Sequence, residues 1–125
     1  MRITTLLTVS IVVLCSCSQR MIETSLYFGQ SRPDGSTVTE EEWNEFKNAY
    51  ILKVFKKGAT TIPVSGNWYD PDQRHLIQEN TYIVVSVYKQ SDSLSHEIDN
   101  LRDQYKKLHR QQSVLRIDRK VKASF

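Results

Sequence analysis

Cysteine is nearly missing from this chain of 125 residues: there are two, Cys15 and Cys17, and none after them. The long remainder therefore has no disulfide, no thiolate metal site and no cysteine nucleophile. Histidine is almost as sparse. His75, His96 and His109 lack the short spacing of a metal-binding pair, so no metal or cofactor is expected and all three read as ordinary surface side chains. With four glycines and three prolines the composition is neither collagen-like nor low-complexity, and a hydrophobic fraction of 39% excludes wholesale disorder. Beyond the first residues no apolar run approaches the ~20 needed to span a bilayer, which excludes a polytopic membrane protein. Neither sign of charge dominates: 17 Lys and Arg stand against 14 Asp and Glu, and the net +3 is too mild for a nucleic-acid partner. Ser-His-Asp, P-loop and glycine-rich dinucleotide motifs are also absent.

What is present begins with an address. Arg2 is followed by an apolar run from Leu6 to Cys15 and then by small residues, the three-part layout of a secretory signal. The run is too short for a membrane span. Leu14-Cys15-Ser16-Cys17 resembles the lipobox of bacterial lipoproteins, and that resemblance makes Cys17 the lipidated residue, with a membrane anchor as its partner. Residues 1–16 are then a signal peptide, 17–21 a lipidated start and short tether, and 22–125 a single domain. The resemblance implies an extracytoplasmic protein of the bacterial cell envelope. Ser18 in place of Asp favours an outer membrane, facing the periplasm, if the host has one. Cleavage before Ser18 as an ordinary secreted protein, and an uncleaved anchor, are the other readings.

The domain reads as alternating elements. Ile22, Thr24, Leu26 and Phe28 alternate with Glu23, Ser25 and Tyr27, which predicts a strand over 21–29. Pro33-Asp34-Gly35 is a turn signal. Thr39 and Glu42 form a capping box, and Trp43, Phe46, Tyr50 and Val54 predict one helical stripe ending at Gly58. Thr60 to Asp70 is a strand that Pro63 confines to a sheet edge. Leu76 to Tyr88, apolar on both faces, is a central strand. Ser91 or Asp92 caps a second helix with Leu94, Ile98, Leu101, Tyr105 and Leu108 on one face, ended by Gln111-Gln112. Ser113 to Phe125 is the last strand.

The order β-α-β-β-α-β predicts a ferredoxin-like α+β fold, a four-stranded antiparallel sheet in the order 4-1-3-2 with two helices on one face. The other face is open. Its predicted residues are Glu23, Ser25 and Tyr27, then Tyr82, Val84, Ser86 and Tyr88, then Val114, Arg116 and Asp118, with Glu23 and Arg116 as a cross-strand pair. This face suits a homodimer, since Tyr and Arg are enriched at interface cores. Alternatively it suits a small-ligand pocket, with Arg116 or Arg32 holding an anion between tyrosine walls.

Several segments together resemble one family. ETSLYFGQSRPDG at Glu23 to Gly35, Glu42-Trp43, Gly66-Asn67-Trp68 and the closing SVLRIDRKVKASF are similar to the bacterial domain-of-unknown-function 3574 family. The resemblance implies a small lipoprotein or secreted protein with no known activity, and it carries over no catalytic residue. The loop Gly29 to Gly35, with Arg32 at its centre, is the segment least explained by packing. The leading expectation is a non-catalytic binding module on the open face, its partner an envelope protein or small ligand. The alternative is a small enzyme of the dimeric α+β barrel type with Tyr or Glu as acid and base, although Glu23 and Glu79 are scattered and no His falls on the predicted open face.

Overall fold

The computed structural model describes residues 21–70 and 74–125. The expected signal peptide and the lipidation expected at Cys17 fall outside the described residues, as does most of the turn at Asp70-Pro71-Asp72. Strand β1 runs Met21–Gly29, β2 Thr60–Asp70, β3 His75–Lys89 and β4 Leu115–Val121. Helix α1 spans Glu40–Phe46, a π-helical turn covers Lys47–Ile51, α2 spans Leu52–Val54 and α3 Asp92–His109. The sheet is antiparallel in the order β2-β3-β1-β4, so the predicted topology holds and Pro63 lies on an edge strand.

Local chemistry explains the boundaries. The Thr39 hydroxyl accepts from the Glu42 amide at 3.2 Å while the Glu42 carboxylate accepts from the Thr39 amide at 2.8 Å, a complete capping box. Gly58 follows α2 at φ +114°, a conformation that side chains disfavour. Ser91 caps α3 by accepting from the Leu94 amide, and Arg110 in a left-handed conformation ends it, one residue before the predicted glutamines.

The π turn corrects the predicted stripe. A π turn adds one residue to the repeat, so the buried face passes from Trp43 and Phe46 to Ile51 and Phe55, leaving Tyr50 and Val54 half-buried. On α3 the buried residues are Ile98, Leu101, Tyr105 and His109, while Leu108 is turned out. His109 is thus a core residue, not a surface one: it is 6% exposed, packs against Tyr105 and Phe46, and neither ring nitrogen has a hydrogen-bond partner.

The core lies between the helices and one face of the sheet. Its centre is aromatic, with Phe28, Trp43, Phe46 and Tyr105 in mutual contact. Past the core, β1 gives way to a loop pinned at both ends. The Gln30 amide bonds the Asn80 carbonyl at 2.9 Å, and the Val38 amide bonds the Gln30 carbonyl at 2.7 Å. The Glu79 carboxylate lies over Gly29 and accepts from the Ser31 amide at 3.0 Å. A Cβ on Gly29 would stand 2.5 Å from that carboxylate oxygen, so any side chain there must push the carboxylate aside.

Two predictions follow from these contacts. Burial holds the His109 pKa below its ordinary 6.5, with Glu42 and Arg32 as opposing charges nearby. The unfolded chain then binds the proton more readily, so unfolding free energy should fall as pH drops below about 6.5. His109→Leu should remove that part of the slope in urea titrations at several pH values. Gly29→Ala and Glu79→Ala should each cost about 1 kcal/mol by removing the Ser31 bond, and the double variant should cost little more than either, because both remove the same bond.

Candidate functional site

Register decides which side chains meet. Leu26 lies opposite Val84 on β3 and Arg116 on β4, and Thr24 lies opposite Ser86 and Asp118. Side chains directly opposite share a face. Leu26 and Phe28 are in the core, so Tyr82, Val84, Ser86, Tyr88, Arg116 and Asp118 all face the helices. This corrects the predicted open face for both β3 and β4. Tyr82 stacks on Trp43 with ring centroids 4.5 Å apart. Tyr88 is buried, its hydroxyl 2.6 Å from that of Thr24, which in turn donates to Asp118 at 2.5 Å.

Arg116 is equally committed. Its guanidinium bonds Asp118 at 3.0 Å, Asp99 at 3.0 Å and the Ser95 carbonyl at 3.1 Å, fastening α3 to β4. Asp118 and Asp99 hold the charge on Arg116 and raise its pKa against the burial that opposes it. A guanidinium with these partners has no free fork to offer an anion.

Arg32 is also an internal clamp. It donates to the Thr37 carbonyl at 2.8 Å and to Glu42 at 2.7 Å. The Thr39 amide and this guanidinium together hold Glu42 down to about 2. Asp34, far below the usual carboxylate range, accepts from Ser36 and is bridged to Arg110 of the α3 cap. The family-like loop is therefore a rigid hairpin tied to α1 and α3.

The loop forms one wall of a groove. The β2–β3 hairpin continues for six residue pairs beyond Thr81, where pairing with β1 stops, from Ser65 opposite Asn80 to Asp70 opposite His75. Helices do not reach that extension. Between it and the loop lies a cavity of about 800 Å³ lined by Gln30, Ser31, Thr37 and Val38 on one side and by Pro63, Ser65, Gln78, Asn80 and Tyr82 on the other. None of its lining side chains is an acid, a lysine, an arginine or a histidine. Gln30 is held behind this wall, donating to the Phe28 carbonyl and the Tyr105 hydroxyl. Burial raises the Tyr105 pKa above its ordinary range, keeping it a hydroxyl that donates to the Gly29 carbonyl at 2.8 Å.

The open face belongs to the odd-numbered residues of β1, β3 and β4 and to the even-numbered residues of β2. Glu23, Ser25 and Tyr27 lie there as predicted. Their neighbours are Ile83, Val85 and Val87 on β3, Leu115, Ile117 and Arg119 on β4, and Ile62 on β2. Ile62 is 42% and Leu115 54% exposed. Glu23 pairs with Arg119 at 3.7 Å, and not with Arg116. The open face is therefore more apolar than expected, with one charge pair near its Met21 end. Ile83, Val85 and Val87 were visible in the sequence as one side of a doubly apolar strand, without a sign to say which side faced out. Gln30, Glu79 and the hairpin amides carried no motif.

Among the described residues no three His, Cys, Asp or Glu side chains cluster to hold a metal. Nor does any described group with a displaced pKa line the groove; each is accounted for by burial or by a partner within the fold. The arrangement offers an uncharged hydrogen-bonding groove and an apolar sheet face.

Solved structures share this architecture. A phage SAM lyase in complex with S-methyl-5'-thioadenosine superposes with a TM-score of 0.61 at 16% identity, covering 80% of this chain and 81% of that one. A phage SAM lyase in the apo state gives 0.61 at 13% identity, covering 87% of each chain. CutA from Synechococcus elongatus gives 0.51 at 10% identity, covering 82% of this chain and 78% of its own. At these identities the likeness is one of fold. No curated protein matches the sequence. The model of a family described as "Protein of unknown function (DUF3574)" matches residues 23–125, which takes in every described residue but Met21 and Ile22, and the chain belongs to that family.

Proposed function

We propose that this protein is a lipid-anchored, extracytoplasmic module that acts by binding, with the open sheet face as its working surface and a second copy of the chain as the occupant. The observation that carries this reading is the composition of the uncovered face: Tyr27, Ile62, Ile83, Val85, Val87 and Ile117 form a contiguous apolar patch. Patches of this kind on a sheet that helices leave bare mark interaction sites. Four strands about 4.8 Å apart, counted over the seven to nine residues of β4 and β1 at about 3.3 Å each, present roughly 500 Å². Two such faces together reach about 1,000 Å², the lower bound of a specific interface. The anchor is Cys17, supported by the Leu14-Cys15-Ser16-Cys17 sequence and by the short polar stretch before β1. Among the described residues no helix is long and apolar enough to cross a membrane.

The groove favours a second reading, that of a small enzyme. Its volume is that of a small-molecule site. Its uncharged lining supplies hydrogen bonds and an aromatic wall but no carboxylate, histidine or lysine to move a proton, so it suits an uncharged ligand better than catalysis.

Two measurements separate these readings. Val85→Asp places an unpaired carboxylate at the centre of the patch and should weaken self-association at least about a hundredfold in sedimentation equilibrium while leaving the circular dichroism spectrum unchanged. A wild-type chain that is monomeric throughout would remove the second copy as occupant. S-methyl-5'-thioadenosine, the ligand of the phage lyase, should leave the melting temperature unmoved; a saturable rise would favour the enzyme.

A further inference from the structure

The two ends of the sheet differ in their free charge. At the Gly29 end the first turn of α1 carries Glu40, Glu41 and Glu42, and of the cations there Arg32, Arg110 and Lys106 are bridged to Glu42, Asp34 and Asp103, beside Lys107 in the last turn of α3. At the Met21 end stand lysines. Lys89 lies opposite Met21 and Lys120 opposite Ile22, while Lys122 follows Val121, the other neighbour of Met21. Lys56 and Lys57 join them, lining with Lys89 a cavity of about 260 Å³ beside Tyr88. All five are exposed. Among the described residues none of the five forms a salt bridge. The carboxylates at this end are Glu23, taken up by Arg119, Asp118, taken up by Arg116, Asp92 at the start of α3, and Glu97 on the wall of the same cavity.

We propose that this lysine end is a docking surface for an anionic phospholipid bilayer, orienting the domain on its membrane. The inference rests on the Cys17 anchor proposed above. Cys17 precedes Met21 by four residues, and so little chain spans at most about 14 Å. The Gly29 end lies eight residues further along β1, about 27 Å away. A tether of that length holds the Met21 end within about one to two Debye lengths of the headgroups and sets no such limit on the Gly29 end. The end so presented is the cationic one, and surface lysines beside a lipid anchor act as its second membrane signal. The β2–β3 hairpin extends past Gly29, so docking by the lysines points the hairpin and its groove away from the bilayer.

The test uses the acylated full-length protein, in which Cys15 has left with the signal and Cys17 is blocked. A donor fluorophore is placed through Ser124→Cys near the lysine end or through Asn67→Cys on the hairpin, and an acceptor in the headgroup layer of vesicles. Energy transfer from the Ser124 position should rise roughly twofold when about a third of the phosphatidylcholine is replaced by phosphatidylglycerol, and lose that rise in high salt. Combined Lys56→Gln, Lys57→Gln, Lys89→Gln and Lys120→Gln should abolish it, with the Asn67 signal low throughout. Equal transfer in both lipid mixtures, or stronger transfer from Asn67, overturns the docking surface. The anchor is judged separately: labelled palmitate should enter the wild type and not Cys17→Ala, and any other pattern overturns it. In that event co-sedimentation of the full chain with phosphatidylglycerol vesicles decides the docking surface, salt-sensitive binding keeping it and no binding removing it.

Discussion

The packing of Phe28 is the contact on which the rest of the structure depends. Its ring lies 4.8 Å from Tyr105, 5.4 Å from Trp43 and 5.9 Å from Phe46, so one side chain of β1 touches both α1 and α3. Burying side chains of this size contributes about 1.5–3 kcal/mol each, and every aromatic pair about 0.5–1.5 kcal/mol more. Once Phe28 and Leu26 face the helices, pairing assigns a side to every residue of the sheet. The hydroxyls of Tyr88 and Ser86 fall inside with Val84, where Thr24 and the Gly58 carbonyl satisfy them, and Ile83, Val85 and Val87 of β3 fall outside.

The same constraint explains why the charged candidates are not free. Two helices cover one face of a four-stranded sheet, and the rim of that covered layer is where polar side chains lock it shut. Arg116 fastens α3 to β4, Arg102 bonds the Val114 carbonyl, and Arg32 with Glu42 clamps the loop to α1. Each guanidinium is partly buried, with both terminal nitrogens bonded within the fold. The uncovered face has no such partners and keeps its apolar side chains in the open.

Much of the fold was legible in the residues. The bounds of β1 and β2, the capping box at Thr39, the edge position of Pro63 and the strand order follow from period-two alternation, side-chain capping and the missing amide of proline, all local effects. The helical stripe was legible as far as Phe46 and then lost, because a π turn is held by tertiary packing and has no residue signature. His109 was misread for a related reason: with Leu108 beside it, hydropathy favours the leucine, whereas the three- and four-residue steps from Ile98 through Leu101 and Tyr105 put His109 inside.

The candidate site was legible only in part. Tyr27 and Glu23 stand on the open face as their parity requires, but Tyr82, Tyr88 and Arg116 stand on the other. Alternation in a strand states that neighbours point oppositely, and it carries a sign only when one side is clearly polar. Strand β3 is apolar on both sides, so its sign comes from its partners. The sequence by itself determined the elements, their order and the family. Tertiary structure alone decided which face the helices cover, which arginines are bound, where the groove opens and that the lysines gather at one end, because each of these depends on residues brought together from distant positions by strand register.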